Sequence, residues 1–487
     1  MRRRRTLHLW RPVRRAATAL ALCVLTLGPV AAPPVRAASP AGGFTLVERL
    51  LDASGLPGSQ VSALFVPAND GRALYARNPN LALPPASTLK LLVSATALTD
   101  LGPGYRFATR VVGRVGAGGV VAGNLYIVGV GDPVLSDHDL AALARAVARR
   151  VRRVDGAVEV DGSFFAGPWG QGWSPVNAQY GWSALPEALT VDQGQIVAEV
   201  RPGASVGAVP SVRVTPAADA VVRVDATTSA AGTLDTLEAL WPGGGEAGVV
   251  VRGQIPQGSA PVRLTVSVAR PNAWAASLFR SALVAAGVDV VGGAGVGTAS
   301  PSLPTLARHV SASLAAILVH QDRWSINVSA EDLLRVVGAR VYGGPGTAAK
   351  GIRAERAWLD SQGVAWQGTL VDGCGLSLND RVSAQDLVNL LLRVRSERWF
   401  PDLLGALPVA GAKGGVAGTL GEIGLFAGFH GHVWAKTGDV GNAEDLAGYI
   451  RTASGQWVVF AALVNGQPSW LAGWHAEEAA VEAVAAG

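Results

Sequence analysis

Apolar residues recur along this chain at two spacings: every second residue, as in a strand, or every third to fourth residue, as in a helix. Near the N-terminus the pattern predicts a helix, a two-stranded hairpin and a second helix. These segments are Phe44–Ala53, Gln60–Val66, a turn at Asn69-Asp70-Gly71, Ala73–Ala76, and a helix that begins near Ser87 and ends near Gly102.

Between about residues 105 and 300 the chain has no lysine, and short valine-rich strands alternate with glycine and proline turns. This sequence pattern predicts mostly β structure, with helices at Ser136–Arg152 and Asn272–Gly287. The predicted strands are Phe107–Val115, Gly123–Val130, Ala157–Val160, Ile196–Val200, Ser211–Val214, Ala220–Val224, Gly248–Ile255 and Val262–Val268.

After Pro304 helical spacing returns, and three strands and a closing helix follow. The predicted elements are helices Ser313–Gln321, Ala330–Arg340, Thr347–Gln362 and Ser383–Arg395, strands His432–Lys436, Leu446–Thr452 and Gln456–Asn465, and helix Trp470–Ala486. Ser383 is a good N-cap residue for its helix. We therefore expect an α/β (α+β) domain whose single sheet is built from both ends of the chain, with the β-rich middle as an insertion.

The first 37 of the 487 residues are not expected to belong to the fold. Arginines at the start, an apolar run over Ala16–Ala32 and the small residues of Val35-Arg36-Ala37 are typical of a cleaved secretory signal. We favour cleavage over a membrane anchor, because the run is short for a membrane span. The export route, Sec or twin-arginine, stays open, but the mature protein is expected to be exported to the periplasm, the cell wall or the medium.

Loss of the signal changes the charge of the protein. Residues 1–37 hold eight arginines and no acidic residue, so the remaining chain has 33 basic against 36 acidic residues, a net charge of −3. This removes the case for a nucleic-acid partner. Cys23 lies in the signal, which leaves Cys374 as the one cysteine of the mature chain and excludes an intramolecular disulfide.

Ser87 and Lys90 form a Ser-x-x-Lys pair at the predicted start of a helix, where residues three apart lie one turn apart on the same face. A serine hydroxyl is a poor nucleophile until a base takes its proton. A lysine amine can be that base when its pKa is depressed, whereas arginine stays protonated. The chain has only four lysines among 41 basic residues, which makes Lys90 a stronger candidate.

Two further short motifs follow in order, Ser325-Ile326-Asn327 at a helix break and Lys436-Thr437-Gly438 on a predicted strand. Together the three resemble the serine acyltransferases that bind penicillin. Three further stretches narrow the resemblance to one family of these enzymes, the class C low-molecular-mass penicillin-binding proteins, or D-alanyl-D-alanine carboxypeptidase/endopeptidase family. They are Gly131-Asp132-Pro133-Val134-Leu135-Ser136, Asp372-Gly373-Cys374-Gly375-Leu376-Ser377 and Leu407-Pro408-Val409-Ala410-Gly411.

The resemblance covers nearly the whole mature chain and implies a transpeptidase/β-lactamase-like domain interrupted by two accessory domains between the first two motifs. The boundaries that we expect are a signal peptide at 1–37, the transpeptidase-like domain at 38–110 and 305–487, an accessory domain at 111–177 and 256–304, and a second accessory domain nested within it at 178–255.

The resemblance also implies roles. Ser87 would attack the carbonyl between two D-alanines, Lys90 would take its proton, and Ser325 would relay a proton to the leaving amine. The substrate-binding residues would be Asn327, Lys436, Thr437, Gly438 and Asp439, the last through its backbone N–H, which would form an oxyanion hole with that of Ser87. Peptidoglycan peptides would be substrates and β-lactams inhibitors, with no metal or other cofactor. The oligomeric state and the substrate's peptidoglycan type stay open.

Three positions depart from the family's pattern. Asp439 stands where threonine or serine is usual, and its carboxylate would repel a terminal carboxylate, which predicts weakened carboxypeptidase activity with cross-link cleavage less affected. Cys374 replaces a usual serine, and we interpret it as a small buried residue near a turn. Lys413 stands where an acidic or small residue is usual.

Other features of the sequence permit different interpretations. His430-Gly431-His432 offers two zinc ligands without a metalloprotease or cysteine motif, and the glycine-rich stretch 292–297 is better explained as a turn than as a phosphate loop. The aromatic stretch Trp169–Trp182 could be a ligand platform, although packing at a domain seam is the commoner role. A β-lactamase or esterase of the same superfamily, or a wall-binding protein that has lost catalysis, remain alternatives to the peptidase.

Overall fold

The computed structural model describes residues 60–69, 72–412, 414–426, 432–466 and 472–486. The signal peptide, the helix expected at Phe44–Ala53, Asp70-Gly71 of the first turn, Lys413 and His430 lie outside these residues. Within the part described, no helix is both long enough and apolar enough to cross a membrane.

The described chain contains 19 strands and ten α-helices. The strands are β1 Val61–Pro67, β2 Tyr75–Arg77, β3 Arg110–Val112, β4 Val120–Val121, β5 Leu125–Val128, β6 Arg153–Val154, β7 Val158–Asp161, β8 Gln195–Arg201, β9 Ser211–Thr215, β10 Val221–Ser229, β11 Glu238–Leu240, β12 Gly248–Pro256, β13 Val262–Ser267, β14 Asp289–Val290, β15 Ala294–Val296, β16 Thr305–Arg308, β17 Val433–Val440, β18 Ala443–Arg451 and β19 Trp457–Asn465. The helices are α1 Lys90–Asp100, α2 Asp137–Ala148, α3 Pro271–Ala285, α4 Leu314–Trp324, α5 Asn327–Tyr342, α6 Ala348–Ser361, α7 Ala384–Val394, α8 Phe400–Ala406, α9 Gly418–Ile423 and α10 Ala472–Ala485.

The two ends of the chain share one antiparallel sheet in the order β17-β18-β19-β1-β2. The register pairs Phe65 of β1 with Phe460 of β19, and Lys436 of β17 with Ala447 of β18. Both faces of this sheet are buried. One face packs on a core that includes α1, α5 and α7, and the other packs against α10. The prediction of one α+β sheet built from both chain ends is therefore confirmed.

The insertion between β2 and α4 holds four further sheets. Their orders are β15-β7-β5-β3-β16, β14-β6-β4, β13-β8-β9 and β10-β12-β11. Parallel and antiparallel pairs are mixed, and the helices α2 and α3 pack in the same hydrophobic core as these strands. The mostly β character that the valine pattern predicted is present. The domain boundaries within the insertion stay a prediction.

Several local details differ from the sequence-based expectation. The chain at Ser87 begins as a 3-10 turn over Ala86–Leu89, and α1 starts only at Lys90, because Ala86 takes a left-handed conformation (φ 42°) after two prolines. The turn expected at 292–297 is wrong in part, because its centre is the edge strand β15, which pairs in parallel with β7. Strands of two or three residues, such as β4 and β14, are too short to show a period.

Candidate active site

The nucleophile candidate sits in a tightly enclosed turn. Ser87 lies in the 3-10 segment after Pro85, and its side chain is largely buried. Gly375 lies against this turn with φ 81°, and a Cβ atom there would overlap the Ala86 carbonyl oxygen. Only glycine fits such a close approach at positive φ, so the Asp372–Ser377 loop and the serine turn are held against each other.

Lys90 lies one turn after Ser87 and is fully buried. Its Nζ is 2.6 Å from Ser87 Oγ, 2.6 Å from Asn327 Oδ1 and 2.8 Å from the Cys374 carbonyl oxygen. Two of these neighbours can only accept a hydrogen bond, whereas the serine hydroxyl can also donate. As placed, Nζ can donate to all three oxygens, and because the serine hydroxyl can also donate, the same geometry lets a neutral amine donate to the two carbonyl oxygens and accept the proton of Ser87.

Burial is the main cause that lowers the pKa of Lys90, and it outweighs the opposing effect of nearby acidic groups. Removing an amine from water disfavours its charged form. The depressed pKa that the proposed base needs is thus a consequence of where the helix places the side chain.

The second serine lies at the break between α4 and α5. Ser325 takes a left-handed conformation (φ 57°), which ends α4 and turns the chain so that α5 begins at Asn327. Lys436 Nζ donates to Ser325 Oγ at 2.9 Å and to the Thr437 carbonyl oxygen at 2.8 Å. Burial lowers the pKa of Lys436, and repulsion by Lys90 lowers it further. Two buried amines that repel each other do not both stay protonated.

Asp322 supplies the opposite charge for these lysines and was not anticipated from the sequence. It is fully buried on α4, where its carboxylate accepts hydrogen bonds from Ser94 Oγ (2.9 and 3.1 Å) and Gln321 Nε2 (3.2 Å). Burial raises its pKa to about 6, and the charges of Lys436 and Lys90 oppose that rise. No sequence motif marks it, because its role depends on its burial beside the two lysines.

The loop that carries the Cys374 carbonyl is held by two buried carboxylates. Asp372 accepts from the backbone N–H groups of Cys374 (3.0 Å), Gly375 (2.6 Å) and Ser377 (2.8 Å). Glu331 of α5 accepts from those of Gly373 (2.6 Å) and Cys374 (3.2 Å). Backbone groups from a distant loop have no sequence signature, so this third partner of Lys90 was missed.

Glu331, Asp372 and Cys374 are also close enough together to be considered as a metal site. However, the carboxylate oxygens already accept from the loop's backbone N–H groups and from the Arg335 guanidinium. Burial and the two carboxylates raise the pKa of the Cys374 thiol, which disfavours the thiolate that binds metals. We assign the three a structural role, in keeping with the interpretation of Cys374 as a small buried residue.

Strand β17 forms one wall of the site. A Cβ atom at Gly438 would lie 3.0 Å from Ala86 Cβ and from the Pro85 carbonyl oxygen, so the strand passes close to the serine turn. Thr437 is buried, and its hydroxyl bonds that of Thr419 at 2.8 Å. Asp439 is exposed and stands opposite Glu444 of β18 in the strand register. The structure thus brings the three motifs, 349 positions apart from first to last, into one hydrogen-bonded cleft.

The aromatic stretch 169–182 packs at the seam between the insertion and this site. Trp173 Nε1 donates to Asp372 Oδ2 at 2.7 Å, and Asn327 Nδ2 donates to the Trp182 carbonyl oxygen at 2.8 Å. The rings of Tyr180 and Trp182 stack at 5.7 Å. These contacts favour the packing interpretation over a ligand platform.

An α+β domain with a long insertion, together with a Ser-x-x-Lys turn facing a Ser-x-Asn break and a Lys-Thr-Gly strand, defines the class of penicillin-binding serine acyltransferases. Residues 45–486 match the D-Ala-D-Ala carboxypeptidase 3 (S13) family, and the chain belongs to that family. The predictions of the family and of a D-alanyl-D-alanine carboxypeptidase-type enzyme are confirmed.

Known proteins agree with this assignment. The chain is 34% identical over 472 residues to the D-alanyl-D-alanine carboxypeptidase of Actinomadura sp. (strain R39), which covers 93% of this chain and 87% of that protein. The crystal structure of penicillin binding protein 4 (DacB) from Haemophilus influenzae has a TM-score of 0.77 at 23% identity, covering 88% of this chain and 98% of that one. A structure of the same protein complexed with a β-lactam has a TM-score of 0.71 at 23% identity, with the same coverage. These two structures show a shared fold.

Proposed function

We propose that the chain cleaves D-Ala-D-Ala-type peptide bonds of peptidoglycan through an acyl-enzyme on Ser87. Lys90 takes the hydroxyl proton as Ser87 Oγ attacks the carbonyl carbon. The tetrahedral intermediate collapses, the peptide bond breaks, and the leaving amine receives a proton through Ser325. Water, deprotonated along the same route, then attacks the ester, and the acid is released with Ser87 restored.

The contact that carries this proposal is the 2.6 Å approach of a buried Lys90 amine to Ser87 Oγ, with carbonyl oxygens at its other two hydrogen-bonding positions. This is the arrangement that a neutral general base needs before substrate binds. The backbone N–H groups of Ser87 and Asp439 would form the oxyanion hole, since β17 passes beside the serine turn.

Substrate binding would use the wall formed by β17. A protonated Lys436 would attract an anionic peptide and, because two buried positive charges repel each other, would favour the neutral form of Lys90. Thr437 would bind the leaving-group carboxylate, with Asn327 on the other side of Lys90. Because the adjacent Asp439 carboxylate is exposed, we propose that the enzyme acts better as an endopeptidase on cross-links than as a carboxypeptidase on free D-Ala-D-Ala ends.

The cellular setting follows from the substrate and the N-terminal sequence. We propose that residues 1–37 direct export and are removed, so that the enzyme reaches peptidoglycan outside the cytoplasmic membrane. We also propose that β-lactams, which present an acylating carbonyl of the same kind, bind the site and acylate Ser87. The insertion would comprise the two nested accessory domains at 111–304.

Labelling with a fluorescent penicillin, followed by mass spectrometry, tests the proposal. We expect one stable adduct on Ser87 that is absent in Ser87→Ala, together with hydrolysis of a D-Ala-D-Ala peptide or cross-linked dimer. Rapid release of hydrolysed penicillin without peptide cleavage would indicate a β-lactamase instead. A folded wild type that neither forms an adduct nor cleaves peptide would indicate a wall-binding protein, and either result would overturn the proposed activity.

A further inference from the structure

We propose that the aromatic segment Trp169–Trp182 of the insertion is a positioning element of the active site, which holds both carbonyl acceptors of the Lys90 amine. This proposal rests on the proposed function, since it assigns Lys90 the role of base. Its consequence is that part of the accessory structure sets the rate of acylation although it does not contact the reacting atoms.

The first link runs through the Asp372–Ser377 loop. Trp173 Nε1 donates to Asp372 Oδ2 at 2.7 Å. Asp372 in turn accepts from the N–H groups of Cys374 and Gly375, which fixes the peptide unit that contains the Cys374 carbonyl and the unit before it. Without Trp173 the buried Asp372 carboxylate would lose an indole N–H donor from outside its own loop, and the backbone donors that remain belong to that loop.

The second link fixes the orientation of an amide. Asn327 donates from Nδ2 to the Trp182 carbonyl oxygen at 2.8 Å, which leaves Oδ1 to face Lys90 Nζ at 2.6 Å. A flipped amide would direct N–H donors at Lys90, whose lone pair is needed for the Ser87 proton. The Trp182 carbonyl therefore selects the orientation in which Asn327 accepts from the amine.

A third contact, between Trp169 and Arg335, supports the Asp372–Ser377 loop through Glu331. The Trp169 ring lies under the Arg335 guanidinium, 5.0 Å from centroid to carbon. Arg335 is buried and pairs with Glu331 at 2.6 Å, and Glu331 holds the N–H groups of Gly373 and Cys374. The attraction between a cation and an aromatic face is stronger when the cation is shielded from water, as Arg335 is. Three tryptophans of one segment thus act on the surroundings of Lys90.

The segment is also tied to the accessory sheets. The backbone N–H of Ser267, the last residue of β13, donates to the Gln179 carbonyl at 2.9 Å, and Tyr180 forms a bridge with Val266. Gly172 packs so closely on Ser377 that a Cβ atom would overlap its hydroxyl. The segment is therefore fixed at one end to the insertion and at the other to the Asp372–Ser377 loop.

The test compares Trp173→Phe, which removes the N–H donor and keeps an aromatic ring, with the matched control Trp274→Phe. Trp274 is a buried tryptophan of the insertion whose indole N–H has no hydrogen-bond partner among the described residues. The full-length mature enzyme is acylated with fluorescent penicillin, and the acylation rate constant, the noncovalent binding constant and the labelled fraction are measured separately.

We expect Trp173→Phe to lower the acylation rate constant about tenfold, as for loss of a hydrogen bond to a charged group, with binding and labelled fraction unchanged. Trp274→Phe, which loses no hydrogen bond, should match the acylation rate constant of wild type. Trp173→His, which restores a ring N–H, should acylate faster than the Phe variant.

An unchanged rate constant in Trp173→Phe would overturn the proposal, as would a smaller labelled fraction with a wild-type rate constant, which indicates a purely structural role. A His variant slower than the Phe variant would likewise show that packing alone matters. Absence of labelling in wild-type enzyme would instead count against the proposed function itself.

Discussion

Single residues decide the charge state of this site. Two amines, Lys90 and Lys436, and one carboxylate, Asp322, are all fully buried, so water screens none of the three. The free energy of these three groups is lowest when one amine is charged, the other amine is neutral and Asp322 is ionised. In that state the two charges compensate each other, whereas an uncompensated buried charge is strongly unfavourable. Burial lowers the pKa of both amines. Because Lys90 Nζ lies 2.6 Å from the hydroxyl that it is proposed to deprotonate, we assign the neutral state to Lys90 and the charge to Lys436.

Asp322→Asn is expected to move both limbs of the pH profile for acylation to lower pH by about one unit, since 1.4 kcal/mol of lost attraction corresponds to one pKa unit. The acid limb requires a neutral Lys90 and the alkaline limb a charged Lys436, and removing a nearby carboxylate lowers the pKa of both amines. The remaining groups that act on Lys90 are Asp372, Glu331 and Cys374. The measurement is the second-order acylation rate constant against pH.

Ser94→Ala is the matched control for that experiment. It removes a hydroxyl donor to Asp322, which raises the pKa of that carboxyl, but it keeps the carboxylate, so both limbs should move less than in Asp322→Asn. If Asp322→Asn lowers the rate at every pH without moving either limb, Asp322 has a packing role and the charge assignment is wrong.

Asp439→Thr is expected to raise kcat/KM about tenfold for a peptide that ends in a free D-Ala carboxylate. The change removes a like charge and adds a hydroxyl donor beside the exposed end of the strand. A peptide with a C-terminal carboxamide should gain little. Asp439→Asn, which removes the charge without adding a hydroxyl, separates the two contributions. Equal turnover of the carboxylate peptide by wild type and the Thr variant would refute selection by Asp439.

At the scale of secondary-structure elements, helix caps show how local sequence fixes where an element begins. Ser383 accepts from Asp386 N–H at 3.1 Å, and Asp386 accepts from Ser383 N–H at 3.0 Å, a reciprocal capping box at the start of α7. The helix packs against the central sheet and the rest of the core, so its first turn is buried. The sequence predicted both the helix and its cap.

Ser383→Ala is expected to lower the free energy of unfolding by about 1–2 kcal/mol, because the cap is buried and two orphan donors lose their partners. Urea denaturation measures this loss. Acylation per folded molecule should be unchanged, since the helix does not contact Lys90 or Ser87. Ser396→Ala, at an exposed position after the same helix, should stay within about 0.5 kcal/mol of wild type. An equal loss in both variants would show that the cap contributes nothing specific.

Elements and motifs were predictable where the information is local. Periodicity placed β1, β19 and α5 within a few residues, and three motifs identified Ser87, Lys90, Ser325, Asn327 and Lys436 as one group. The partners that complete the site were not predictable, because the Cys374 and Trp182 carbonyls are backbone groups brought in by tertiary packing. Asp322 has a charged side chain but no motif, and its role depends on burial, which the sequence does not state.

At the scale of the whole molecule, the insertion is more than an appendage to the sheet that carries the site. Its strands form four sheets with a core of their own, yet its aromatic segment enters the other core, where Trp169 and Trp173 pack. Any change at the site that stabilises the Asp372–Ser377 loop should therefore also stabilise residues 169–182 against local opening. Linkage requires the reverse effect to be of equal size for binding free energies.

Acylation of Ser87 by a β-lactam is expected to slow backbone hydrogen exchange about threefold to tenfold in residues 169–182 and 372–377. The adduct occupies the cleft and disfavours local opening of the turn, and the Trp173–Asp372 and Asn327–Trp182 bonds extend that stabilisation to the segment. Strands β10 and β12 come from the middle of the insertion's sequence and pair with each other. No hydrogen bond described here joins them to residues 169–182 or 372–377, so they should exchange at an unchanged rate. Mass spectrometry of peptic fragments from free and acylated enzyme makes the comparison, with Ser87→Ala plus the same β-lactam as the control. Protection confined to residues near Ser87, with none in 169–182, would mean that the insertion and the site are energetically independent despite their contacts.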